Sequence, residues 1–247
     1  NYDLKKQQAD FQFIEESTAD IFYDNTTDKI WLPQMFQNKV GISPGQELFA
    51  RSHSKANVLY NYGIIDAFIG GLYKGTLPAK DLKLKGDFGI GAPDMLDGEL
   101  TMLDGKAYQT KATGETGTVN DNHKTSFASV TFFKADTLFY VDGNTDQKAL
   151  LEMIKSRLTN INAKYAIKIT GTFDYVKTRA FPPVEEEPFP VLSTILDRQQ
   201  FFEHINTKGA FVGFHLPEYL NGINASGFHF HFLSADKTQG GQILGFK

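Results

Sequence analysis

The chain is expected to fold as an α+β protein built on a substantial antiparallel or mixed sheet. Three observations predict this. Strand-like segments alternate with tight-turn signals, among them Asp97-Gly98 and Asp104-Gly105, and such pairs favour hairpins. Aromatic residues make up 13% of the chain and include 22 Phe, a bias toward side chains that pack on pleated surfaces. Against this background the segment TDQKALLEMIKSRL switches to helical spacing. Strands and helices mixed in this irregular order argue α+β rather than a regular βαβ succession.

Residues 1 to about 55 are polar and weakly periodic, and read as a mobile arm or an edge addition to the main sheet. Within them IFYDNTTDKIWL, with turn signals at Asp24-Asn25, predicts a short hairpin. From Val58 the character changes. NVLYNYGIIDAFIGGLY places Ile64, Ile65, Phe68, Ile69 and Leu72 at helical spacing, with Gly70-Gly71 as a stop. Between the two Asp-Gly turns a strand is expected with Leu100 and Met102 on one face and Glu99, Thr101 and Leu103 on the other. KTSFASVTFFKA alternates in part and predicts another strand. After a turn at Asp142-Gly143, the capped helix follows, with Leu150, Met153, Ile154 and Leu158 on its apolar face.

YAIKITGTFDYVKTRAF predicts a long strand bent at Gly171, with Phe173, Tyr175, Lys177 and Arg179 sharing one face. PPVEEEPFPVL is expected to cross over irregularly, its acidic run Glu185-Glu186-Glu187 forming a solvated loop. A second helix is expected around Leu192 to His204. The remainder predicts two or three strands joined by turns at Pro217 and Asn221-Gly222.

Bulk properties bound the function. A chain of 247 residues is long enough for a real core. A net charge of −4 leaves no basic footprint, so nucleic acid is not an expected partner. No run approaches the roughly 20 apolar residues that span a bilayer, so no membrane partner is expected either. Cysteine is absent, which removes thiolate catalysis, Cys-ligated zinc and disulfides together. Cytoplasmic and exported settings both stay open. The first residue is Asn rather than Met, so a signal peptide or other upstream residues are expected before it.

The chemistry concentrates near the end, in GFHFHFLSADKTQGGQIL. On a strand His229 and His231 point one way while Phe228, Phe230 and Phe232 point the other. The phenylalanines can then enter a core while two neutral imidazoles face a common cavity, where both can reach one zinc ion. The bland alternative is a pair of half-buried histidines bonded to backbone. A His-x-His strand also opens the cupin metal motif, but that motif wants a glutamate soon after, and Phe232, Leu233, Ser234, Ala235 and Asp236 follow instead. His53, His123 and His204 have no metal-like spacing.

SGFHFHFLSADKTQGGQIL resembles the signature of the α-acetolactate decarboxylases, which turn 2-acetolactate into acetoin and CO2. VLYNYGIIDAFIGGLYKG, GDFGIGAPDMLDGELTMLDGKAYQ, IKITGTFDYVKTRAF and VGFHLPEYLNGINASGF support the resemblance, in the family's order, over about residues 57–245. The resemblance implies an α/β fold of α+β kind: a mixed-sheet half over 56–160 and a small β-barrel-type half over 161–247 that carries the metal. Residues 1–55 fall outside it. It further implies a homodimer, 2-acetolactate as substrate, and zinc held by three histidines.

His229 and His231 match the first two of those ligands, and Gln242, in Gly240-Gly241-Gln242, stands in place of the third. A glutamine carbonyl is a weaker zinc donor than imidazole, so a weakened site is the expectation. Glu99 and Arg179 match the family's catalytic glutamate and arginine. Ala92 replaces a threonine, and a further glutamate of the family's tail falls beyond Lys247. His215, one strand earlier, is a candidate substitute ligand if register brings it round. Two functions stay open on this evidence: a working decarboxylase, and a relative that binds a small keto acid without turnover.

Overall fold

The computed structural model describes residues 58–141 and 145–247, together with four short strands nearer the N-terminus. The chain divides into two compact units, Asn1–Lys55 and Ala56–Lys247. In the first, β1 (Tyr2–Asp3) pairs with β2 (Gln8–Ala9) and β3 (Phe22–Asp24) with β4 (Lys29–Trp31), both antiparallel. The second of these is the hairpin foreseen in IFYDNTTDKIWL, with Phe22 opposite Trp31. Whether the segment is an arm or an edge addition lies outside the described residues, as does the Asp142-Gly143 turn.

The second unit begins with β5 (Tyr60–Tyr62), a single-turn helix α1 (Ile65–Ile69), β6 (Leu77–Pro78) and α2 (Ala79–Lys83). Three strands follow, β7 (Phe88–Pro93), β8 (Glu99–Leu103) and β9 (Lys106–Thr110), then β10 (Thr116–Thr118) and β11 (Lys124–Thr131). They form one sheet in the order β10-β9-β8-β7-β11-β5, with β6 also on β11, and every pairing is antiparallel. The fold is therefore sheet-dominated α+β.

Helix α3 (Gln147–Arg157) starts at Asp146, whose carboxylate accepts from Ala149 N at 2.8 Å. Then come β12 (Tyr165–Ala180), β13 (Gln200–Leu216), β14 (Gly227–Ser234) and β15 (Gly240–Phe246), which pair in a closed circuit as β15 returns to β12. The interior of the circuit is aromatic. Phe173, Phe211, Phe230, Phe232 and Phe246 pack there with Val176, and Leu150 and Ile154 of α3 join them. The rings of Phe173 and Phe211 stack with centroids 4.1 Å apart.

The sheet and the circuit share a second core. Phe88, Ile90, Leu103 and Tyr108 from the sheet meet Ala210, Val212, Phe214, Leu216 and Leu233 from β13 and β14. The two faces of β8 separate as alternation predicts: Leu100 and Met102 go to a core with Leu82 of α2, and Leu103 goes to the shared core. Glu99 and Thr101 thereby face the strands that carry the histidines.

Three expectations are corrected. The helix over Leu192–His204 does not form; two 3-10 turns, Leu192–Thr194 and Leu196–Arg198, lead straight into β13 at Gln200. The segment FFEHINT finds its hydrogen-bond partner in β12, from Ala180↔Gln200 through Phe173↔Thr207, and this non-local pairing overrides local spacing. Second, Phe173 does not share a face with Arg179. Phe173 and Val176 both enter the aromatic interior, so the alternation reverses between them, opposite Asn206 with its positive φ of 47°.

The third correction concerns His215. It pairs in register with Phe228, and its ring meets that phenylalanine with centroids 4.6 Å apart. The cross-strand partner of His229 is Phe214, so His215 belongs to the face opposite the His229–His231 pair and does not substitute as a ligand.

Candidate functional site

Four strands converge on one buried polar cluster. β14 supplies His229 and His231, whose ring centroids are 5.5 Å apart. β15 supplies Gln242, directly opposite His231 on one side and Arg179 of β12 on the other. β8 supplies Glu99 from the facing sheet. The side chains sequence reasoning selected are thus brought together, and the strand register is what does it.

The Gly240-Gly241 pair makes that register possible. Gly241 has φ +117°, and a Cβ there would stand 2.8 Å from the Arg179 carbonyl oxygen. A Cβ on Gly240 would stand 2.5 Å from Thr110 Oγ1. Both distances are too short for any side chain, so glycines let β15 close against β12 and the sheet.

His231 is almost wholly buried and held from behind. Its Nδ1 lies 3.0 Å from the Leu100 carbonyl oxygen, with Thr101 Oγ1 at 3.4 Å beside it. A carbonyl only accepts, so Nδ1 carries the hydrogen and Nε2 keeps its lone pair. That Nε2 is 3.6 Å from Glu99 Oε2. His229 has both ring nitrogens buried, and neither makes a hydrogen bond of good geometry. Arg179 lies with Cζ 4.8 Å from the Phe181 ring centroid, and its Nη2 donates to Gln242 Oε1 at 2.6 Å. Its Nη1 reaches only to 4.0 Å from Glu99 Oε1 and makes no hydrogen bond.

Burial sets the protonation states. It pushes the Glu99 carboxyl up to about 7, with the Arg179 charge partly opposing. Burial, helped by the Arg179 charge, drives His229 down to about 4, against a smaller opposing hydrogen-bonding contact with the Gln242 side chain. His231 is held well below its ordinary value by burial, then by His229 and Arg179, although its bond to Leu100 opposes this. Both imidazoles are therefore neutral near pH 7, which is the form that binds metal.

This donor set suits a soft-to-borderline metal in part. His231 is supported as a ligand would be, one nitrogen fixed by a carbonyl and the other free, and the covered nitrogens of His229 call for a partner. Yet among the described residues no three His, Cys, Asp or Glu side chains converge as a complete metal cluster. Gln242 would have to complete the set through an oxygen already engaged by Arg179. Ala92 packs in an apolar cluster with Phe68, Tyr73, Leu96, Phe127 and Phe181, one ring away from Arg179. Sequence reasoning missed Thr101, Phe181 and the Leu100 carbonyl as supports; alternation along β8 points to Thr101, while nothing local points to the other two.

The family model described as alpha-acetolactate decarboxylase matches residues 59–247. An alpha-acetolactate decarboxylase of Methanosarcina mazei is 40% identical over 193 residues, covering 78% of this chain and 67% of its own length. That of Brevibacillus brevis is 38% identical, covering 79% and 68%. Among solved structures, alpha-acetolactate decarboxylase from Bacillus subtilis strain 168 superposes with TM-score 0.74 at 32% identity, over 76% of this chain and 80% of its own. A Staphylococcus aureus protein of unknown function, described as similar to alpha-acetolactate decarboxylase, gives TM-score 0.74 at 34% identity, over 77% and 81%.

Proposed function

Because this chain belongs to the alpha-acetolactate decarboxylase family of enzymes, we propose that it converts 2-acetolactate to acetoin and CO2, with His229 and His231 holding a zinc ion. The observation that carries this reading is the convergence of two imidazoles, His231 buried and His229 half-buried with both its nitrogens covered, on Glu99 and Arg179. Gln242, where the resemblance puts a third histidine, is the remaining neutral donor beside them.

In the reaction the bond from C2 to the carboxylate carbon breaks, CO2 leaves, and the electron pair stays behind until a proton replaces the lost group. A zinc ion on the two imidazoles would supply a Lewis acid that withdraws that pair. Arg179 binds the substrate carboxylate, since its charge is permanent and its Nη1 has no hydrogen-bond partner. Glu99 delivers the proton: a carboxyl raised to about 7 holds one at neutral pH and can still release it. The Phe181 ring and the surrounding cores keep water from competing.

Acetoin formation from racemic 2-acetolactate, with zinc added and with a chelator-treated control, tests the reading. Zinc-dependent turnover is the expected result. Zinc uptake without acetoin would favour the second reading, keto acid binding without turnover, for which the engagement of Gln242 by Arg179 is the supporting observation. The homodimer implied by the resemblance is part of the proposal, and sedimentation of the purified protein checks it.

A further inference from the structure

Residue 242 stands in the middle of a row across three strands, Arg179–Gln242–His231. Two jobs are open to it there, and they exclude one another. The geometry assigns Gln242 to the arginine: it is a positioning residue that orients Arg179 for the substrate carboxylate, and not a donor to the metal. This rests on the decarboxylase reading for the identity of the carboxylate.

Gln242 Oε1 accepts from Arg179 Nη2 at 2.6 Å, the short separation of a charge-assisted bond. A divalent cation on the same oxygen would sit against a guanidinium in a buried site, where like charges repel far more than in water. An amide oxygen is also a poor competitor for zinc beside imidazole nitrogen. The two imidazoles have no such conflict: neither nitrogen of His229 makes a hydrogen bond of good geometry, its approach to the Gln242 amide being the weakest of the influences on its pKa, and His231 Nε2 faces the Glu99 carboxylate.

Arg179, for its part, depends on Gln242. That bond is the one side-chain hydrogen bond its guanidinium makes among the described residues. Glu99 is at the 4.0 Å limit of an ion pair, and Phe181 offers a face but no acceptor. A neutral acceptor orients the guanidinium without cancelling its charge, which stays available to a carboxylate. A metal-bound histidine at 242 could not do this, because its remaining nitrogen would present N–H, a donor facing a donor. Glutamine at this position therefore exchanges a ligand for an anchor.

The test uses Gln242→Met, near-isosteric and without the oxygen, in two titrations. Zinc is titrated in competition with a chromophoric chelator; the small carboxylate 2-hydroxy-2-methylpropanoate is titrated on the metal-free protein. The expected result is a zinc Kd within about threefold of wild type and a carboxylate Kd about tenfold weaker, in line with one charge-assisted bond. In an Arg179→Lys background the same substitution should cost nothing further, because it acts through the arginine. A zinc affinity lowered tenfold or more, or carboxylate binding left unchanged, overturns the assignment. Gln242→Leu serves in the same way should the methionine variant fail to fold. Failure of the wild-type protein to form acetoin would sink the decarboxylase reading alone, since neither titration depends on turnover.

Discussion

At the scale of single residues, the site is a contest between burial and charge, and Glu99 shows which wins. Arg179 lies within ion-pair reach and pulls its pKa down, yet desolvation prevails and holds it at about 7. Removing the proton while keeping the shape isolates its role. Glu99→Gln should lower kcat by roughly 10²–10⁴-fold, the range of a lost general acid, in a protein that still folds and still takes up zinc. Turnover unchanged in that variant would remove Glu99 from the chemistry. Much of this cluster was legible residue by residue. His229 and His231 share a face because alternation demands it, and Glu99 sits opposite Leu100 on β8 for the same reason. The pairing of Gln242 with Arg179 was not legible, because it exists only through the register of β15 against β12. His215 shows the same gap: one position along β13 decides whether a ring faces the His229–His231 pair or Phe228.

At the scale of elements, local signals succeed where an element is self-contained. Helix α3 was readable because its cap and apolar stripe lie within one short segment, and Leu150 and Ile154 do reach the core. Asp146→Ala should cost about 1 kcal/mol, the usual worth of an N-cap, seen as a lower thermal midpoint. Elements that owe their form to a distant partner were misread. QFFEHINT carries enough apolar residues for a helix, but β12 needs a neighbour along its whole length, and the segment becomes strand instead. The reversal of faces between Phe173 and Val176 was equally hidden, since it coincides with a positive φ at Asn206 on the other strand. β15 has its own weak point. Gly241→Ala would force a side chain onto φ +117° and into the Arg179 carbonyl, a strain of about 1–3 kcal/mol. Beyond the stability loss, the displaced Gln242 should weaken substrate binding, so KM should rise more than kcat falls. A variant of unchanged stability would show that β15 closes without the glycine.

At the scale of the whole molecule, the resemblance supplied the division into a sheet and a strand circuit, and composition alone would have stopped at α+β. What the assembled fold adds is a collective property of its histidines. Burial lowers the pKa of His123, His204, His215, His229 and His231 alike. Each is protonated in the unfolded chain below about pH 6.5 but resists protonation in the fold, so the unfolded state binds more protons there. Stability from these groups is full above that pH and is lost as pH falls, over a window reaching about 4 for His229. Glu99 has the opposite sign. Raised from 4.5 to about 7, it binds a proton in the fold that the unfolded chain has released, and its contribution is lost as pH rises through that window. Five groups oppose one, so the thermal midpoint of chelator-treated protein should fall steadily from pH 6.5 to 4.5. In Glu99→Gln the fall should steepen, because the single opposing group is gone. A midpoint flat across that range would mean the histidines are already solvated in the metal-free fold, and that the closed cluster forms only around a bound metal.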